Sequence, residues 1–391
     1  MPGVVVVGAG LGGVRTVERL RASGYTGRIA LVGAEEHAPY DRPPLSKQVL
    51  RGEWAPERTV LRDKPGLDAL GVSWHRGVAA VGLRGTTVDL DDGTAVRADM
   101  VVLATGATAR RLPGQPDTAG TLRTRDDAVA LRDALTASRS LLIVGAGFIG
   151  AEVAGAARGL GLDVTVVESL PAPCERALGR QGGERAARLF AEAGVQLRCG
   201  TGVARFADGH TVALTDGSSV TADVVLVGVG AAPNVGWLAG TGLAVSGGIA
   251  CDGYGRVPGA DRVWALGDAT AWWDAARGRS FRSEHWTSTV DQVAVVVADM
   301  LGQPAPPPAV PYAWSDQFGL RIQLYGRPDL AEEVVPLHGS GAVKGTVLGY
   351  LAGDRLVAVA GFGAARHVAP YRNLVAGGAG RAAVLSHARS R

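Results

Sequence analysis

A glycine-rich turn near the start of the chain has the residue types and spacing that bind phosphate groups. The segment 8–13, Gly-Ala-Gly-Leu-Gly-Gly, follows four consecutive valines, which predict a strand, and precedes an amphipathic helical pattern. Gly8 would allow the tight turn, Gly10 would let the backbone approach a pyrophosphate, and Gly13 would let the helix pack closely on the strand. The phosphates would lie at the N-terminus of the helix, beside Leu11.

An acidic residue follows at the distance expected for a carboxylate that binds ribose hydroxyl groups. The next predicted strand, 29–32, leads to Glu35, which stands 22 residues after Gly13. Glu36 is adjacent, and the sequence does not distinguish between the two acids. The strand, turn, helix and acid together predict one dinucleotide site.

The same arrangement occurs a second time, near residue 140. The turn 145–150, Gly-Ala-Gly-Phe-Ile-Gly, again lies between an apolar strand pattern and a helical pattern, and Glu168 stands 18 residues after its last glycine. An acid at this position favours NAD over NADP, because it would repel a 2′-phosphate. Arg176 and Arg180 lie nearby and leave NADP open. The predicted contacts of this turn are Gly145, Gly147, Phe148, Ile149 and Gly150.

A longer repeat supports two copies of one nucleotide-binding unit. Residues 87–99 (TVDLDDGTAVRAD) and 211–223 (TVALTDGSSVTAD) are identical at eight of thirteen positions. Each predicts a hairpin with an Asp-Gly turn and precedes an apolar strand that ends in glycine, at 101–107 and 224–231. Gly230, in the second of these segments, is a predicted nucleotide contact. Two such sites predict two dinucleotides, for which hydride transfer between a nicotinamide and a flavin is the economical chemistry.

Composition narrows the class of protein further. Of 391 residues, 57 are glycine, 47% are hydrophobic and 20% are charged, which excludes a disordered chain. The net charge of +3 argues against general nucleic-acid binding. Cys174, Cys199 and Cys251 lack paired spacing, which predicts a reducing compartment without disulfides or a metal site. The region 141–162 is apolar enough to span a bilayer, but its charged residues and glycines favour a buried strand, turn and helix. We therefore predict a cytoplasmic protein without membrane contact.

The remaining chain predicts a strand, a helix, a linker and a further domain. Residues 264–269 predict a buried strand and turn, and a helical pattern runs from about 288 to 301. Residues 303–311 hold five prolines, as is typical of a linker. Residues 312–391 alternate like strands and end in a helical tail. The predicted turns of this last part are at Gly326, Gly353 and Gly361.

Five further segments resemble one family. They are 39–47 (PYDRPPLSK), 104–106 (ATG), 266–269 (LGDA), 284–286 (EHW) and 314–317 (WSDQ). Together with the two glycine turns they resemble, in order and over essentially the whole chain, the flavin-dependent ferredoxin reductases of oxygenase systems. This family includes rubredoxin reductases and the reductases of aromatic-ring dioxygenases, and apoptosis-inducing factor is a relative.

The resemblance implies a specific cofactor arrangement. FAD would occupy the first turn and NAD(H) the second. The implied FAD contacts are Gly8, Gly10, Leu11, Gly13, Glu35, Arg42, Lys47, Ala104, Thr105, Gly106, Arg123, Gly267, Asp268, Glu284, His285, Trp286 and Trp314. The implied NAD contacts add Glu152, Glu168 and Gly230 to the second turn.

The resemblance also implies individual roles near the flavin. Asp268 would bind the ribitol hydroxyl groups, and Lys47 and Glu152 would form an ion pair beside flavin N5. Phe148 would cover the flavin face where the nicotinamide docks, and Trp286 and Trp314 would border the isoalloxazine. The helix after residue 285 would direct its N-terminus at the flavin. Without the resemblance, these residues are equally typical of a turn, a solvated loop or a packed core.

The implied fold is α/β, with two Rossmann-like dinucleotide-binding domains and a C-terminal α+β interface domain. The predicted boundaries are 1–112 and 245–310 for two segments of the FAD-binding domain, 113–244 for the NAD-binding domain and 311–391 for the interface domain. The implied activity is electron transfer from NADH through FAD to a small iron–sulfur ferredoxin, or to a rubredoxin, that serves a cytochrome P450 or a dioxygenase. Disulfide reductases of related architecture carry a redox cysteine pair near the flavin, whereas this chain has Arg-Pro-Pro-Leu at 42–45, which argues against thiol chemistry.

Two other functions stay open at this point. The flavin could act directly on a small acceptor such as monodehydroascorbate, nitrite or a quinone, without a carrier protein. Alternatively, the chain could be a redox-sensing interaction protein like apoptosis-inducing factor.

Overall fold

The computed structural model describes residues 3–339 and 341–389, and it divides the chain into two units of three segments each. The first unit comprises Met1–Asp41, Glu57–Thr108 and Ala231–Ala309. The second unit comprises Arg42–Pro56, Ala109–Gly230 and Val310–Arg391.

Strands and helices alternate at the start of each parallel sheet, and runs of consecutive strands follow. The strands are β1 (Val4–Val7), β2 (Ile29–Gly33), β3 (Val72–Arg76), β4 (Ala80–Arg84), β5 (Thr87–Leu90), β6 (Ala95–Arg97), β7 (Met100–Leu103), β8 (Ala107–Ala109), β9 (Ser140–Val144), β10 (Asp163–Glu168), β11 (Gln196–Cys199), β12 (Val203–Phe206), β13 (Thr211–Leu214), β14 (Ser219–Thr221), β15 (Val224–Val227), β16 (Ala231–Pro233), β17 (Ile249–Cys251), β18 (Val263–Ala265), β19 (Thr270–Asp274), β20 (Arg279–Phe281), β21 (Tyr312–Gln317), β22 (Leu320–Gly326), β23 (Glu333–His338), β24 (Thr346–Ala352) and β25 (Arg355–Phe362). The α-helices are α1 (Leu11–Ala22), α2 (Lys64–Ala69), α3 (Arg125–Thr136), α4 (Phe148–Gly159), α5 (Glu175–Glu192), α6 (Trp286–Met300), α7 (Ala365–Val368), α8 (Tyr371–Ala376) and α9 (Arg381–Arg389). Short helical turns of other types lie at Leu45–Val49, Pro56–Thr59, Gly236–Leu238, Gly267–Ala269 and Pro328–Leu330.

The first unit is built on a parallel sheet with the strand order β18-β7-β1-β2-β3. The predicted valine strand β1 lies in its centre, and all four valines are buried. Val4 and Val6 pack with α1 and α6 on one face, whereas Val5 and Val7 pack with the antiparallel sheet β4-β5-β6 on the other. A parallel sheet covered on both faces requires such continuous apolar strands.

The second unit repeats this design. Its parallel sheet has the order β11-β10-β9-β15, with α4 and α5 contributing to the core on one face. Leu142 and Val144 on β9 pack on the other face against the antiparallel sheet β12-β13-β14. Both hairpins of the sequence repeat, β5-β6 and β13-β14, therefore form as predicted.

The second unit also contains an antiparallel sheet with the order β21-β22-β25-β24-β23. The predicted turn at Gly353 lies between β24 and β25, Gly326 ends β22, and α9 forms the helical tail. The predicted turn at Gly361 is wrong, because this residue lies within β25. A Cβ atom on Gly361 would lie 2.9 Å from the Val368 side chain of α7. Glycine at this position therefore lets α7 approach the strand closely.

The elements between the second sheet and the last domain follow the prediction closely. The strand and turn predicted over 264–269 form as β18 and the helical turn Gly267–Ala269. The helix α6 begins two residues earlier than expected, and residues 303–311 carry no regular element, as a linker would. Within the described residues, no helix is long and apolar enough to cross a membrane.

Candidate functional site

The first glycine turn connects β1 to α1 in the first unit. Gly8 has a φ of +112°, and a Cβ atom there would lie 2.1 Å from the Ala104 carbonyl oxygen. A Cβ atom on Gly13 would lie 1.9 Å from the Gly8 carbonyl oxygen. By contrast, nothing lies within 4 Å of the Cβ position of Gly10, the residue before Leu11 at the start of α1. The first and last glycines thus close the turn, and the middle one leaves open space.

The second turn connects β9 to α4 in the second unit and has the same construction. Gly145 has a φ of +104°, and its Cβ position lies 2.4 Å from the Gly228 carbonyl oxygen. The Cβ position of Gly150 lies 2.1 Å from the Gly145 carbonyl oxygen, whereas that of Gly147 has nothing within 4 Å. The two turns therefore form equivalent cradles, each at the carboxyl edge of a parallel sheet.

The three candidate carboxylates differ in their contacts. Glu35 follows β2, is half-buried and accepts a hydrogen bond from the Tyr40 hydroxyl at 2.5 Å. Glu36 is exposed and pairs with Arg76 on the neighbouring strand at 3.6 Å. Glu168 ends β10, and its Oε2 accepts a hydrogen bond from the Ala146 amide of the second turn at 2.8 Å. Glu168 thus ends its strand, Glu35 lies two residues after the end of β2, and Glu36 pairs with Arg76.

The Ala104-Thr105-Gly106 segment follows β7 at the same edge of the first sheet. The Thr105 hydroxyl donates to the Asn234 carbonyl at 2.8 Å, and the Asn234 side-chain amide donates to the Thr105 carbonyl at 3.0 Å. The Asn234 backbone amide binds the Gly106 carbonyl at 2.9 Å. Asn234 therefore fixes this segment, and sequence reasoning missed it because it lies 129 positions away from Thr105.

The segment Gly267–Ala269 follows β18 at the same edge. The Gly267 amide donates to the Gln292 side chain of α6 at 2.7 Å, a contact that the sequence did not indicate. Asp268 interacts electrostatically with His285, the N-cap residue of α6. Burial lowers the pKa of His285 from its ordinary value, and the negative charge of Asp268 opposes this shift.

The other two members of the 284–286 segment have polar partners in the first unit. Glu284 is exposed and pairs with Arg282 at 2.7 Å. The indole nitrogen of Trp286 donates to Asp41 Oδ1 at 2.8 Å. This bond ties the first turn of α6 to the end of the segment Met1–Asp41.

Lys47 and Glu152 meet in the second unit as a buried ion pair. Lys47 Nζ lies 2.6 Å from Glu152 Oε2, and the two side chains are 8% and 3% exposed. The same oxygen accepts from the Ser46 hydroxyl at 2.5 Å, and Oε1 accepts from the Ser315 hydroxyl at 2.7 Å. Four donors therefore bind this buried carboxylate, namely Lys47 Nζ, the Ser46 and Ser315 hydroxyls and the Asp316 amide at 3.3 Å, as a buried charged group requires. Ser46 and Ser315 lie in the segments 39–47 and 314–317, but no local pattern indicates that both reach Glu152.

Trp314 lies on β21, next to Ser315 in sequence but on the opposite face of the strand. It is half-buried and stacks on Tyr312 with 5.9 Å between ring centroids. Ser315 and Gln317 are fully buried on the other face. The two-residue period of the strand therefore separates the aromatic side chains from the side chains that contact Glu152.

The remaining predicted residues of the second unit lie near the turn or near each other. Arg42 Nη1 donates to the Arg123 carbonyl at 2.5 Å, so these two residues are adjacent. Phe148 begins α4 and packs partly on the core, whereas Ile149 is 44% exposed. Gly230 follows β15, with a φ of +101°.

Cys174 and Cys251 are buried, and Cys199 is half-buried. Burial raises the pKa of the Cys174 thiol to about 12 and that of the Cys199 thiol to about 11, and it also raises the pKa of Cys251. A thiol acts as a nucleophile only when ionised, so these values fit packing roles. Within the described residues, no group of three or more His, Cys, Asp or Glu side chains could hold a metal ion.

Both turns fit the pyrophosphate group that FAD and NAD share. The helices α1 and α4 each begin after a glycine N-cap, without a side-chain cap and without an acidic residue in the first turn. Their N-terminal amides and positive dipole ends therefore face open space at Gly10 and Gly147, as anion binding requires.

Comparison with known proteins gives matches over almost the whole chain. Residues 2–293 match the family model described as pyridine nucleotide-disulphide oxidoreductase, and residues 312–387 match the model described as reductase C-terminal. The chain is 37% identical over 384 residues to the anthranilate 1,2-dioxygenase system ferredoxin–NAD(+) reductase component of Burkholderia cepacia, covering 96% of this chain and 94% of the relative. It is 33% identical over 370 residues to the putidaredoxin reductase of Pseudomonas putida, covering 91% and 87%.

A solved structure matches the fold with similar completeness. The crystal structure of the covalent putidaredoxin reductase–putidaredoxin complex has a TM-score of 0.93 and 29% identity to this chain, covering 100% of this chain and 98% of the other.

Proposed function

Because the chain belongs to the pyridine nucleotide-disulphide oxidoreductase family, we propose that it supplies electrons to an oxygenase through a carrier protein. It is an FAD-containing reductase that transfers electrons from NADH to a small iron–sulfur ferredoxin. The family resemblance and the α/β fold predicted from the sequence are confirmed, as are the cofactors FAD and NAD(H). The oxygenase partner, a cytochrome P450 or a dioxygenase, is part of the proposal.

The observation that carries the proposal is the pair of equivalent cradles. Each has two glycines whose Cβ atoms would meet backbone oxygens, a third glycine facing open space, and a carboxylate at the end of the next strand or two residues after it. One such turn serves one dinucleotide, so two of them support a reaction between two dinucleotides. The names of the relatives then support a ferredoxin as the acceptor.

We propose that the first cradle, with Glu35, Thr105 and Asp268, holds FAD. Bound FAD and NADH supply the redox chemistry, namely hydride transfer followed by the release of single electrons. Lys47 is the proposed cation that stabilises the negative charge gained by the isoalloxazine, and Glu152 fixes its position. Burial lowers the pKa of His285 and so favours its neutral form, in which the ring donates or accepts a hydrogen bond without adding a charge.

We propose that the second cradle and Glu168 hold NADH. The charge of Glu168 would repel the 2′-phosphate of NADPH, and its oxygens would accept hydrogen bonds from ribose hydroxyl groups. Phe148 and Ile149 supply apolar surface at the start of α4 for the nicotinamide. Trp286 and Trp314 are the proposed aromatic borders of the flavin, and Arg42, Arg123, Glu284 and Gly230 are proposed further contacts.

The domain organisation and the location are also proposals. We propose an FAD-binding domain of 1–112 and 245–310, an NAD-binding domain of 113–244 and an interface domain of 311–391. We propose a cytoplasmic location, because the three cysteines are unpaired, as is typical of a reducing compartment.

The test begins with the absorption spectrum of the purified protein and stopped-flow reduction by NADH and by NADPH. We expect a flavin spectrum that NADH bleaches rapidly and NADPH slowly, and cytochrome c reduction that depends on an added ferredoxin. In Glu168→Gln, we expect the preference for NADH to fall roughly tenfold, since one charge-assisted contact is lost. Asp163→Asn, at the exposed start of the same strand β10, is the matched control.

Different outcomes contradict different parts of the proposal. A protein that takes up no FAD contradicts the whole function. Rapid turnover of a quinone without a carrier, with no response to ferredoxins, contradicts the acceptor alone. An unchanged nucleotide preference in Glu168→Gln contradicts only the role of Glu168.

A further inference from the structure

The Glu152 carboxylate is held at both of its oxygens by two different parts of the second unit. Ser46 and Lys47, in the helical turn Leu45–Val49, bind Oε2 at 2.5 and 2.6 Å. Ser315 on β21 binds Oε1 at 2.7 Å. A carboxylate anchored at one oxygen could rotate and carry Lys47 with it, whereas one anchored at both oxygens keeps a single orientation.

Ser315 belongs to a longer chain of buried hydrogen bonds. The Gln317 amide nitrogen donates to the Ser315 hydroxyl at 3.1 Å and to the Cys174 sulfur at 3.6 Å. The Cys174 thiol in turn donates to the Ala146 carbonyl at 3.5 Å. Ala146 lies in the second glycine turn and also binds Glu168 through its amide at 2.8 Å.

The polarity of this chain is consistent along its length. The Gln317 amide is the donor in both directions, so each hydroxyl or thiol that accepts from it donates onward to an oxygen. On one side the acceptor is the Glu152 carboxylate, and on the other it is the Ala146 carbonyl. Bonds aligned in this way strengthen one another, and Ser315, Gln317 and Cys174 are all buried.

We propose that Ser315 is a positioning residue of the reductase, which fixes Glu152 and through it Lys47, and that Gln317 and Cys174 join this anchor to the turn that holds the nucleotide. This inference rests on the function proposed above. A buried ion pair by itself is not more stabilising than well-packed apolar side chains. Its anchoring by two serines therefore points to a requirement on where the Lys47 cation lies.

The first test measures the midpoint potential of the bound flavin in Ser315→Ala. Without its anchor at Oε1, Glu152 holds Lys47 less firmly, so the reduced flavin loses stabilisation and the potential should fall. A tenfold loss in the equilibrium constant for reduction corresponds to ~30 mV for a two-electron couple. Ser315→Thr keeps the hydroxyl and should restore the potential.

A matched control and a second variant keep this test decisive. Thr346→Val removes another buried hydroxyl of the same sheet, one that binds the Ala342 carbonyl at 2.8 Å, and should leave the potential unchanged. If Ser315→Ala takes up no FAD, Gln317→Leu removes the donor to Ser315 and should lower the potential by a smaller amount. Potentials equal to that of the Thr346→Val control in both variants would overturn the proposal.

The second test addresses the link to the nucleotide turn. The dissociation constant of NAD⁺ is measured by calorimetry in Cys174→Ala, Ser315→Ala and the double variant. A continuous chain predicts that the effects of the two substitutions are not additive. Additive effects would overturn the link.

A wild-type chain that takes up no FAD would contradict the proposed function and this inference together. Normal reduction of the wild type with unaffected variants would overturn this inference alone.

Discussion

Removing either member of the Lys47–Glu152 ion pair should destabilise the second unit, but by unequal amounts. In Lys47→Met, the Glu152 carboxylate keeps three donors, namely the Ser46 and Ser315 hydroxyls and the Asp316 amide. In Glu152→Gln, the buried Lys47 ammonium loses its counter-charge and keeps the neutral Pro43 carbonyl at 3.1 Å and the Ser46 hydroxyl at 3.5 Å. The structure therefore solvates the carboxylate better than it solvates the ammonium group.

The expected magnitudes follow from these contacts. Breaking a buried ion pair costs about 3–5 kcal/mol when the remaining charge is uncompensated. Glu152→Gln should therefore reduce the local free energy of unfolding by about 4 kcal/mol. In Lys47→Met, hydrogen bonds to the charged group, each contributing ~1.5–3 kcal/mol, lower the loss to about 2 kcal/mol. The double variant should lose clearly less than the sum, because neither charge is left alone.

Native-state hydrogen exchange followed by mass spectrometry measures these losses segment by segment. Peptides covering α4 and β21 should report the change, and peptides covering α1 in the first unit serve as the internal reference. Arg180→Met breaks an exposed ion pair with Glu184 on α5 and should change the free energy by ~1 kcal/mol at most. Equal losses in the two single variants, a milder effect of Glu152→Gln, or simple additivity in the double variant would refute the reasoning.

Three further predictions concern the first cradle, His285 and the cysteines. Gly10→Ala should fold with an unchanged circular dichroism spectrum, because nothing in the protein meets its methyl group. It should bind FAD roughly tenfold more weakly, because the methyl group would occupy the space of the pyrophosphate. Gly13→Ala should lose the turn itself, because its methyl group would meet the Gly8 carbonyl. Burial lowers the pKa of His285 in the folded chain, so the unfolded chain takes up a proton at a higher pH than the folded chain. The unfolding temperature should therefore fall as the pH drops below about 6.5. His285→Gln should flatten this dependence, and an unchanged slope would contradict the prediction. The buried Cys174, with a pKa raised to about 12, should react slowly with a disulfide reagent at pH 8 in the native protein and rapidly after unfolding. Rapid native labelling of Cys174 would contradict its burial.

The parts of the fold that depend on local constraints could be predicted from the sequence. The positive φ of Gly8 and Gly145 and the crowded Cβ positions of Gly13 and Gly150 allow glycine alone, so the turns are visible as a pattern. The valine runs are equally informative, because a parallel strand covered on both faces must be apolar throughout. Each of these signals lies within about ten residues of sequence.

Contacts between distant segments could not be predicted in the same way. Ser315 reaches Glu152 across 163 positions, and a serine on an alternating strand is compatible with either face until the register of the strand is known. Asn234 and Gln292 fix backbone turns through side-chain amides, for which no local pattern exists. At Gly361 the sequence predicts a turn where the structure has a strand. A glycine that lets a neighbouring helix approach closely is indistinguishable in sequence from one that forms a turn.

The strand order of the first sheet has a consequence for biosynthesis. Four of its strands, β1, β2, β3 and β7, leave the ribosome within the first 103 residues, but β18, which pairs with β7, is synthesised only from Val263 onward. Until then the nascent chain presents the buried, apolar strand β7 as an open edge, a feature that promotes aggregation. Chaperone binding during translation is therefore expected to concentrate on this strand. A fragment ending at residue 112 would keep that edge permanently, so the N-terminal segment is a poor choice for expression as an isolated domain.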